Sequence, residues 1–288
     1  MAILTQENVE ISGGFSKEIN LAATSLMFDI LQQHQYAFPL KSTVREIASN
    51  GIDSLAEKNM AKAILTGAAK VEDFYVERDG EIYSDSKFNP SYYNLPSLSA
   101  VDEVDIIYKD TGETGKDSII IRDHGVGLGG KRLENYFNLG FSSKRLMSSA
   151  LGKFGIGAKA PLSTGAPFYT ITSRYNGMEF CFNVYAHRVE SIVPKFDLQL
   201  NCENPAYQFG NGYWAHYRHT TELNMLQIEI ATKKHHKQQY IDAVTGQLCY
   251  FKNVRLFVND TEIPVKANIM YEDDMIVLAT NSQYNKPH

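Results

Sequence analysis

Carboxylate and amide side chains recur at helical spacing in one segment near the start of the chain. Glu46, Asn50 and Asp53 follow one another at intervals of four and three residues, and a helix predicted over 40–60 places them within about 40° of one another. Magnesium prefers oxygen ligands and is usually held by few protein groups together with phosphates and water, so Asn50 could supply one ligand. Glu46, one turn away, could accept a proton from an attacking water. Asp53 would orient neighbouring side chains or waters.

The opposite side of this predicted helix is apolar, so the helix is amphipathic. Its apolar residues are Leu40, Val44, Ile47, Ala48, Gly51 and Leu55. A polar stripe on such a helix is most often only a solvated face. This stripe, however, lacks the long Lys and Glu pairs at i,i+4 that a solvated face usually carries. The pattern favours a functional stripe and leaves the solvated face as the alternative.

An acidic turn with two glycines follows a short apolar strand in the middle of the chain. The run Ile119-Ile120-Ile121 predicts a buried strand, and Asp123 stands just where it ends, followed by Gly125 and Gly127. Turns of this kind are common, and an aspartate that caps its own turn is the simpler explanation of Asp123. The turn alone is therefore weak support for a binding site.

A glycine-rich loop ends in a lysine and leads into a predicted helix. The loop contains Gly152, Phe154, Gly155, Ile156, Gly157 and Lys159, and the polar residues Ser142, Ser143 and Lys144 lie upstream of it. Free backbone N–H groups in such a loop can bind phosphate oxygens. Ala160 stands where a P-loop would carry Ser or Thr, and no strand directly precedes the first glycine, as a dinucleotide-binding loop would require.

In this order the three segments resemble the ATP site of the GHKL superfamily, which includes gyrase B subunits, MutL-type repair proteins, heat-shock chaperones and sensor histidine kinases. The resemblance implies that Asp123 accepts a hydrogen bond from the adenine amino group, so that the site selects ATP over GTP. It also implies that Asn50 binds Mg²⁺, that Glu46 is the general base, and that residues 129–159 form an ATP lid. In that lid Lys159 and Lys144 would meet the phosphates.

Within the superfamily the chain resembles the N-terminal ATPase domains of phage rapid-lysis proteins of the rIIA type. The shared features are the helix motif, the acidic turn, a Phe-Ser-Ser lid sequence and the loop Phe-Gly-x-Gly-x-Lys-x-Pro, here at 154–161. This resemblance implies a phage-encoded protein in the host cytoplasm. Many members place a threonine before a late core strand, and Thr221 and Thr220 are the candidates here.

The predicted elements indicate an α+β fold. The resemblance makes it a Bergerat-type two-layer α/β sandwich, in which helices and a glycine-rich lid cover one face of a mixed sheet. A first helix is expected over 24–33 and a later one over 234–250, and strands over 103–109, 118–122, 168–173, 177–185, 226–231 and 254–263. We expect an ATP-binding domain over 1–235, with an insertion at about 61–102. A C-terminal helix and hairpin over 236–288 would pack on that domain or follow it.

Composition narrows the classes of function. A net charge of -5 argues against a broad nucleic-acid-binding face. Three cysteines without metal-site spacing and the lack of an apolar leader predict a cytoplasmic protein with reduced thiols.

Two functions from different classes follow. The first is a slow Mg²⁺-dependent ATPase whose lid closure controls homodimerisation or the binding of a protein partner or membrane-associated complex. The second is a nucleotide-gated scaffold or regulatory module without significant hydrolysis.

Overall fold

The computed structural model describes residues 15–18, 38–71, 77–78, 81–82, 89–113, 115–129, 132–133, 136, 157–185, 188–192, 206–208, 214–265, 268–272 and 277–280. The α-helices are α1 (Pro39–Leu65) and α2 (Lys237–Gln247), and the 3₁₀ helices are Pro90–Tyr92, Leu95–Ser97, Gly157–Thr164 and Lys234–His236. The strands are β1 (Phe15–Glu18), β2 (Glu77–Arg78), β3 (Glu81–Ile82), β4 (Val104–Lys109), β5 (Ser118–Asp123), β6 (Tyr169–Tyr175), β7 (Met178–Val184), β8 (Arg188–Ile192), β9 (Ala206–Gln208), β10 (Trp214–His219), β11 (Met225–Ala231), β12 (Val254–Val258), β13 (Thr261–Ile263), β14 (Asn268–Glu272) and β15 (Val277–Thr280).

Eleven of the described strands form one mixed sheet. Its main order is β1-β8-β7-β6-β11-β5-β4-β12-β13, and β10 joins it through β7 and carries β9. Strand β12 runs parallel to β4, whereas β4, β5, β11 and β6 pair in antiparallel fashion. The register sets Leu226 of β11 opposite Asp123 of β5, so the end of β5 lies beside the start of β11.

Helix α1 begins at Pro39, where a missing backbone N–H does no harm, and continues for 27 residues. It ends before Gly67, whose φ of 78° is a left-handed conformation that favours glycine after a helix. The predicted apolar side is buried, with Val44 and Ala48 fully covered. The helix runs five residues beyond the predicted end at Met60 and includes residues 61–65.

The two faces of the sheet carry different kinds of side chain, and this difference determines which face the helices cover. Ile119 and Ile121 of β5 and Ile228 of β11 alternate toward the core that α1 covers. On the other face, Arg122 donates two hydrogen bonds to Gln227, at 2.9 and 2.7 Å. The fold is therefore an α+β sandwich with the helices on one face, which confirms the predicted fold class.

The segment after residue 236 is joined to the same core. Tyr240, Ala243 and Val244 of α2 are buried in the main hydrophobic cluster together with residues of α1. Strand β12 extends the sheet, and the backbone N–H of Val104 donates to the Asn253 carbonyl at 2.8 Å. Residues 237–263 thus pack on the sandwich. The helix expected over 24–33 lies outside the described residues.

Neither described α-helix has the length and apolar composition that a bilayer-spanning helix requires. Among the described cysteines, Cys181 and Cys249 are free thiols. Burial raises the pKa of the Cys249 thiol, which lowers its thiolate fraction and agrees with a structural role.

Candidate functional site

A small cavity lies between α1 and the sheet, at the level where β5 ends and β11 begins. Its volume is about 20 Å³, which is room for one water molecule. The residues that line it are Ile47, Asn50, Gly51, Ile121, Asp123, Tyr136, Leu226 and Ile228. The first and second sequence motifs therefore meet at one cavity through Asn50 and Asp123.

Asp123 caps its own turn and also lines the cavity. Its side chain is almost fully buried, and Oδ1 accepts a hydrogen bond from the Gly125 backbone N–H at 2.9 Å, so it caps its own turn. The same residue forms part of the cavity wall. A carboxylate in this position offers an acceptor to a ligand that enters beside α1.

The glycines of the acidic turn are required by the protein's own packing. A Cβ on Gly125 would overlap Oγ of Ser54 on α1. Gly127 has a φ of 69°, and a Cβ there would overlap the carbonyl oxygen of Arg174 on β6. The turn thus fits between the helix and the β6–β7 hairpin only because both positions lack a side chain.

The polar stripe of α1 reaches the cavity through its middle residue. Asn50 lines the cavity, whereas Glu46 and Asp53 flank it along the helix and are not part of the lining. Glu46 is partly exposed and forms an ion pair with Arg45 at 3.0 Å. Asp53 is buried. The predicted metal ligand is thus at the cavity, and the predicted base lies one turn away.

The C-terminal part of the third motif packs on α1 near the start of that helix. Gly157–Thr164 forms a 3₁₀ helix that packs on α1, and Oγ1 of buried Thr43 donates to the Ala160 carbonyl at 2.9 Å. The backbones of Gly157 and Lys159 therefore lie beside the helix of the first motif. Ser142, Ser143, Lys144, Gly152, Phe154, Gly155 and Ile156, as well as the side chain of Lys159, lie outside the described residues.

The two threonine candidates precede β11. Thr221 is exposed in the connection before β11 and is not part of the cavity lining. Leu226 and Ile228 of β11 face the cavity instead, because the register places them opposite Asp123 and Ile121.

The sequence prediction did not include Tyr136, which contributes an aromatic wall. Burial raises the pKa of its hydroxyl, and the nearby Asp123 carboxylate raises it further. The hydroxyl therefore stays protonated at neutral pH, beside the one acidic group of the cavity lining.

A charged cluster supports the acidic turn from the other side of β5. Nε2 of His124 lies 3.1 Å from Oδ2 of Asp105, and Nε of Arg255 donates to Oδ1 of Asp105 at 2.8 Å. Burial opposes ionisation of Asp105, but the hydrogen bonds from His124 and Arg255 outweigh it and lower the pKa of the carboxyl. The residue next to Asp123 is thereby tied to β4 and β12.

The oxygen groups near the cavity suit a hard cation that also binds phosphate. Asn50 provides an amide side chain, and Glu46 and Asp53 provide carboxylates on the same stripe. Within the described part of the chain, no group of three or more His, Cys, Asp or Glu side chains could hold a metal ion.

The fold and the cavity define an α+β sandwich with an amide and a carboxylate between helix and sheet. The family model described as "Histidine kinase-, DNA gyrase B-, and HSP90-like ATPase" matches residues 38–199, which is more than half of the 288 residues. The chain belongs to this family, as the resemblance to the GHKL superfamily predicted. Membership indicates that the chain binds ATP. No curated protein matches the chain at a significant level.

Proposed function

We propose that the chain is a Mg²⁺-dependent ATP-binding protein and a slow ATPase, with the adenine end of the nucleotide in the cavity between α1 and β5. The observation that carries this proposal is that Asn50 and Asp123 line the same cavity although they are far apart in sequence. Family membership supports it independently.

The proposed role of Asp123 is to read the adenine amino group. The carboxylate is buried and its Oδ1 is already oriented by Gly125, so its position is fixed before a ligand arrives. Guanine carries a carbonyl oxygen where adenine carries the amino group, and two acceptors would then face each other. A buried acceptor without a donor is costly, so ATP is preferred over GTP.

Nucleotide entry requires the cavity to enlarge. The observed volume of about 20 Å³ is far below the roughly 300–1,000 Å³ of small-molecule sites. The wall residue Tyr136 belongs to the segment 129–159 that the sequence predicts as a lid. We therefore assign the present conformation to the nucleotide-free state, from which Tyr136 moves when ATP binds.

The proposed chemistry uses the stripe on α1. Bound Mg²⁺ would neutralise phosphate charge and would be held by Asn50 together with the phosphates. Glu46 would take a proton from the attacking water, and Asp53 would orient these groups. Lys159 and Lys144, with the loop N–H groups, would bind the phosphates.

We also propose that the protein is phage-encoded, is similar to rIIA and acts in the host cytoplasm. In this proposal, closure of the protein's lid controls homodimerisation or the binding of a protein or membrane-associated partner.

A nucleotide-gated scaffold without hydrolysis is the second candidate. The observation that favours it is that Glu46 pairs with Arg45 and does not line the cavity. On this alternative, ATP would bind and change the conformation, but no group would activate the water.

The two candidates separate in a comparison of binding with turnover. Glu46→Ala leaves Asn50 and Asp123 in place, so the variant should bind Mg-ATP as the wild type does. The rate of phosphate release from ATP should fall by about 10²–10⁴-fold, because this is the usual contribution of a general base to the rate. Equal turnover by both proteins would remove Glu46 as the base. Binding without turnover in the wild type would favour the scaffold.

A further inference from the structure

The backbone of the acidic turn after β5 is held by side chains from three other parts of the fold. The Val126 N–H donates to Oγ of Ser54 on α1 at 3.2 Å, and the Val126 carbonyl accepts from Nδ2 of Asn224, the residue before β11, at 3.0 Å. Oγ of Ser173 on β6 accepts from the Leu128 N–H and donates to the Leu128 carbonyl, each at 2.8 Å. Side chains therefore satisfy both backbone polar groups of Val126 and of Leu128.

Asn224 has one orientation in which all of its polar groups are paired. The residue is 1% exposed, and its backbone N–H donates to the Ser97 carbonyl at 2.8 Å. Its Oδ1 accepts from the backbone N–H of Asn176, in the turn between β6 and β7, at 2.8 Å, so Nδ2 faces the Val126 carbonyl. Nδ2 also lies 3.3 Å from Oδ1 of Asn176. Rotation of the amide would leave buried groups unpaired, which is costly.

The bonds to Val126 act close to the carboxylate that lines the cavity. The N–H of Gly125 donates to Oδ1 of Asp123 at 2.9 Å, and Gly125 lies so close to Oγ of Ser54 that a Cβ would overlap it. The N–H of Val126, in the next peptide unit, donates to the same Oγ. A shift of Val126 would therefore move Gly125 and the hydrogen bond that orients Asp123.

We propose that Asn224 and Ser54 are positioning residues of the nucleotide site, which clamp Val126 from two sides and hold the Asp123 carboxylate in the direction that reads adenine. The proposal rests on the proposed function, because Asp123 is the proposed acceptor for the adenine amino group. An acceptor that is already ordered adds no conformational entropy cost when the ligand binds. Without the clamp, ATP would have to order the turn as well.

A role of these side chains in stability alone would have a different effect on binding. Loss of stability lowers the folded fraction and therefore weakens ATP and GTP binding by the same factor. Loss of the carboxylate's orientation weakens ATP binding specifically, because guanine has no amino group at the position that Asp123 reads. The ratio of the Kd for Mg-GTP to the Kd for Mg-ATP thus reports the orientation of Asp123 rather than the stability of the chain.

The test compares Ser54→Ala and Asn224→Asp with the wild type, each as the full chain. Ser54→Ala removes the acceptor of the Val126 N–H and favours the helix, because alanine has the higher helix propensity. Asn224→Asp keeps an acceptor for the Asn176 N–H and removes the donor to the Val126 carbonyl. Without nucleotide, hydrogen exchange at Gly125 and Val126 should speed up by about tenfold in both variants.

Calorimetric titration of the same proteins measures the effect on the site. The Kd for Mg-ATP should rise by about three- to tenfold in Ser54→Ala and by about tenfold or more in Asn224→Asp. The Kd for Mg-GTP should change by less than about twofold, so that the ratio of the two Kd values falls.

Asn183→Asp is the matched control, because it makes the same chemical change at another buried asparagine. Oδ1 of Asn183 accepts from Oγ1 of Thr170 at 3.0 Å. Its neighbours Phe182 and Val184 belong to the main core cluster, so Asn183 lies on the face of the sheet away from α1 and the cavity. Asn183→Asp should therefore leave the ratio of the two Kd values unchanged even if it lowers stability.

Exchange and the Kd ratio together separate this proposal from the proposed function. Unchanged exchange at Gly125 and Val126 would overturn the clamp. Faster exchange with a wild-type Kd ratio would show that the bonds serve stability alone, and it would overturn the positioning role while the adenine site stands. A wild type that binds ATP and GTP equally, or binds neither, would overturn both. If Asn224→Asp fails to fold, Ser54→Ala decides by the changes expected for it.

Discussion

Gly51 and Asp123 bring the first two motifs into direct contact. A Cβ on Gly51 would lie 3.1 Å from Cβ of Asp123 and 3.1 Å from Cγ2 of Val104. Both distances are below ordinary van der Waals separation, so α1 approaches the sheet this closely only because residue 51 has no side chain. The close approach is what allows Asn50 and Asp123 to share one cavity.

Gly51→Ala should therefore destabilise the chain, although alanine is the better helix former. Helix propensity alone would add about 1 kcal/mol of stability, and overpacking against Asp123 and Val104 costs roughly 1–3 kcal/mol. We expect the free energy of unfolding in denaturant to fall by about 1 kcal/mol. Ala56→Gly is the control, because this exposed position of the same helix reports only the effect of helix propensity on the free energy of unfolding. A clear rise in stability for Gly51→Ala would show that the approach is not tight.

Asn50→Ala should weaken nucleotide binding only where Mg²⁺ contributes to it. We expect the Kd for Mg-ATP to rise by about tenfold or more, with little change in the weaker affinity measured in excess chelator. Asn59→Ala is the control, because Asn59 is an exposed asparagine of α1 that bonds Asp102 rather than the cavity. Equal loss of affinity with and without Mg²⁺ would argue that Asn50 contacts the nucleotide directly.

Asp105 should contribute to stability above acid pH. Burial opposes its ionisation, but the hydrogen bonds from His124 and Arg255 outweigh it, so its pKa is lower when folded than when unfolded. The contribution is complete above the unfolded pKa of about 4 and disappears as the pH falls through the lower folded value.

Asp105→Asn should thus cost roughly 2 kcal/mol at neutral pH and progressively less as the pH falls below about 4, as measured by denaturant unfolding at a series of pH values. Asp260→Asn, at an exposed hairpin turn, should leave the profile unchanged. A constant difference between wild type and Asp105→Asn at every pH would exclude the ionised carboxylate as the cause.

The sequence allowed the prediction of those parts of the site that depend on local periodicity. The stripe on α1 follows from helical spacing, and the buried strand before Asp123 follows from three consecutive isoleucines. The short β9 gave no signal, because three residues show no alternation.

Local sequence patterns cannot predict contacts that depend on strand register or that join residues far apart in the sequence. The place of Leu226 at the cavity depends on how β11 aligns with β5. The hydrogen bond from Asn224 to the Val126 carbonyl joins residues 98 positions apart. The composition becomes mixed after Met60, which predicts that the helix ends there, whereas α1 continues to Leu65.

The most direct test of the account is calorimetric titration of Mg-ATP and Mg-GTP into the wild type and Asp123→Asn. The asparagine keeps an oxygen for the Gly125 N–H but replaces one acceptor at the cavity with a donor, so the turn should survive while adenine is read incorrectly. We predict that the wild type binds ATP more tightly than GTP, and that Asp123→Asn loses about 1–3 kcal/mol of ATP affinity. Equal affinity of the wild type for the two nucleotides, or an unchanged ATP affinity in Asp123→Asn, would contradict the assignment of this cavity as the adenine site.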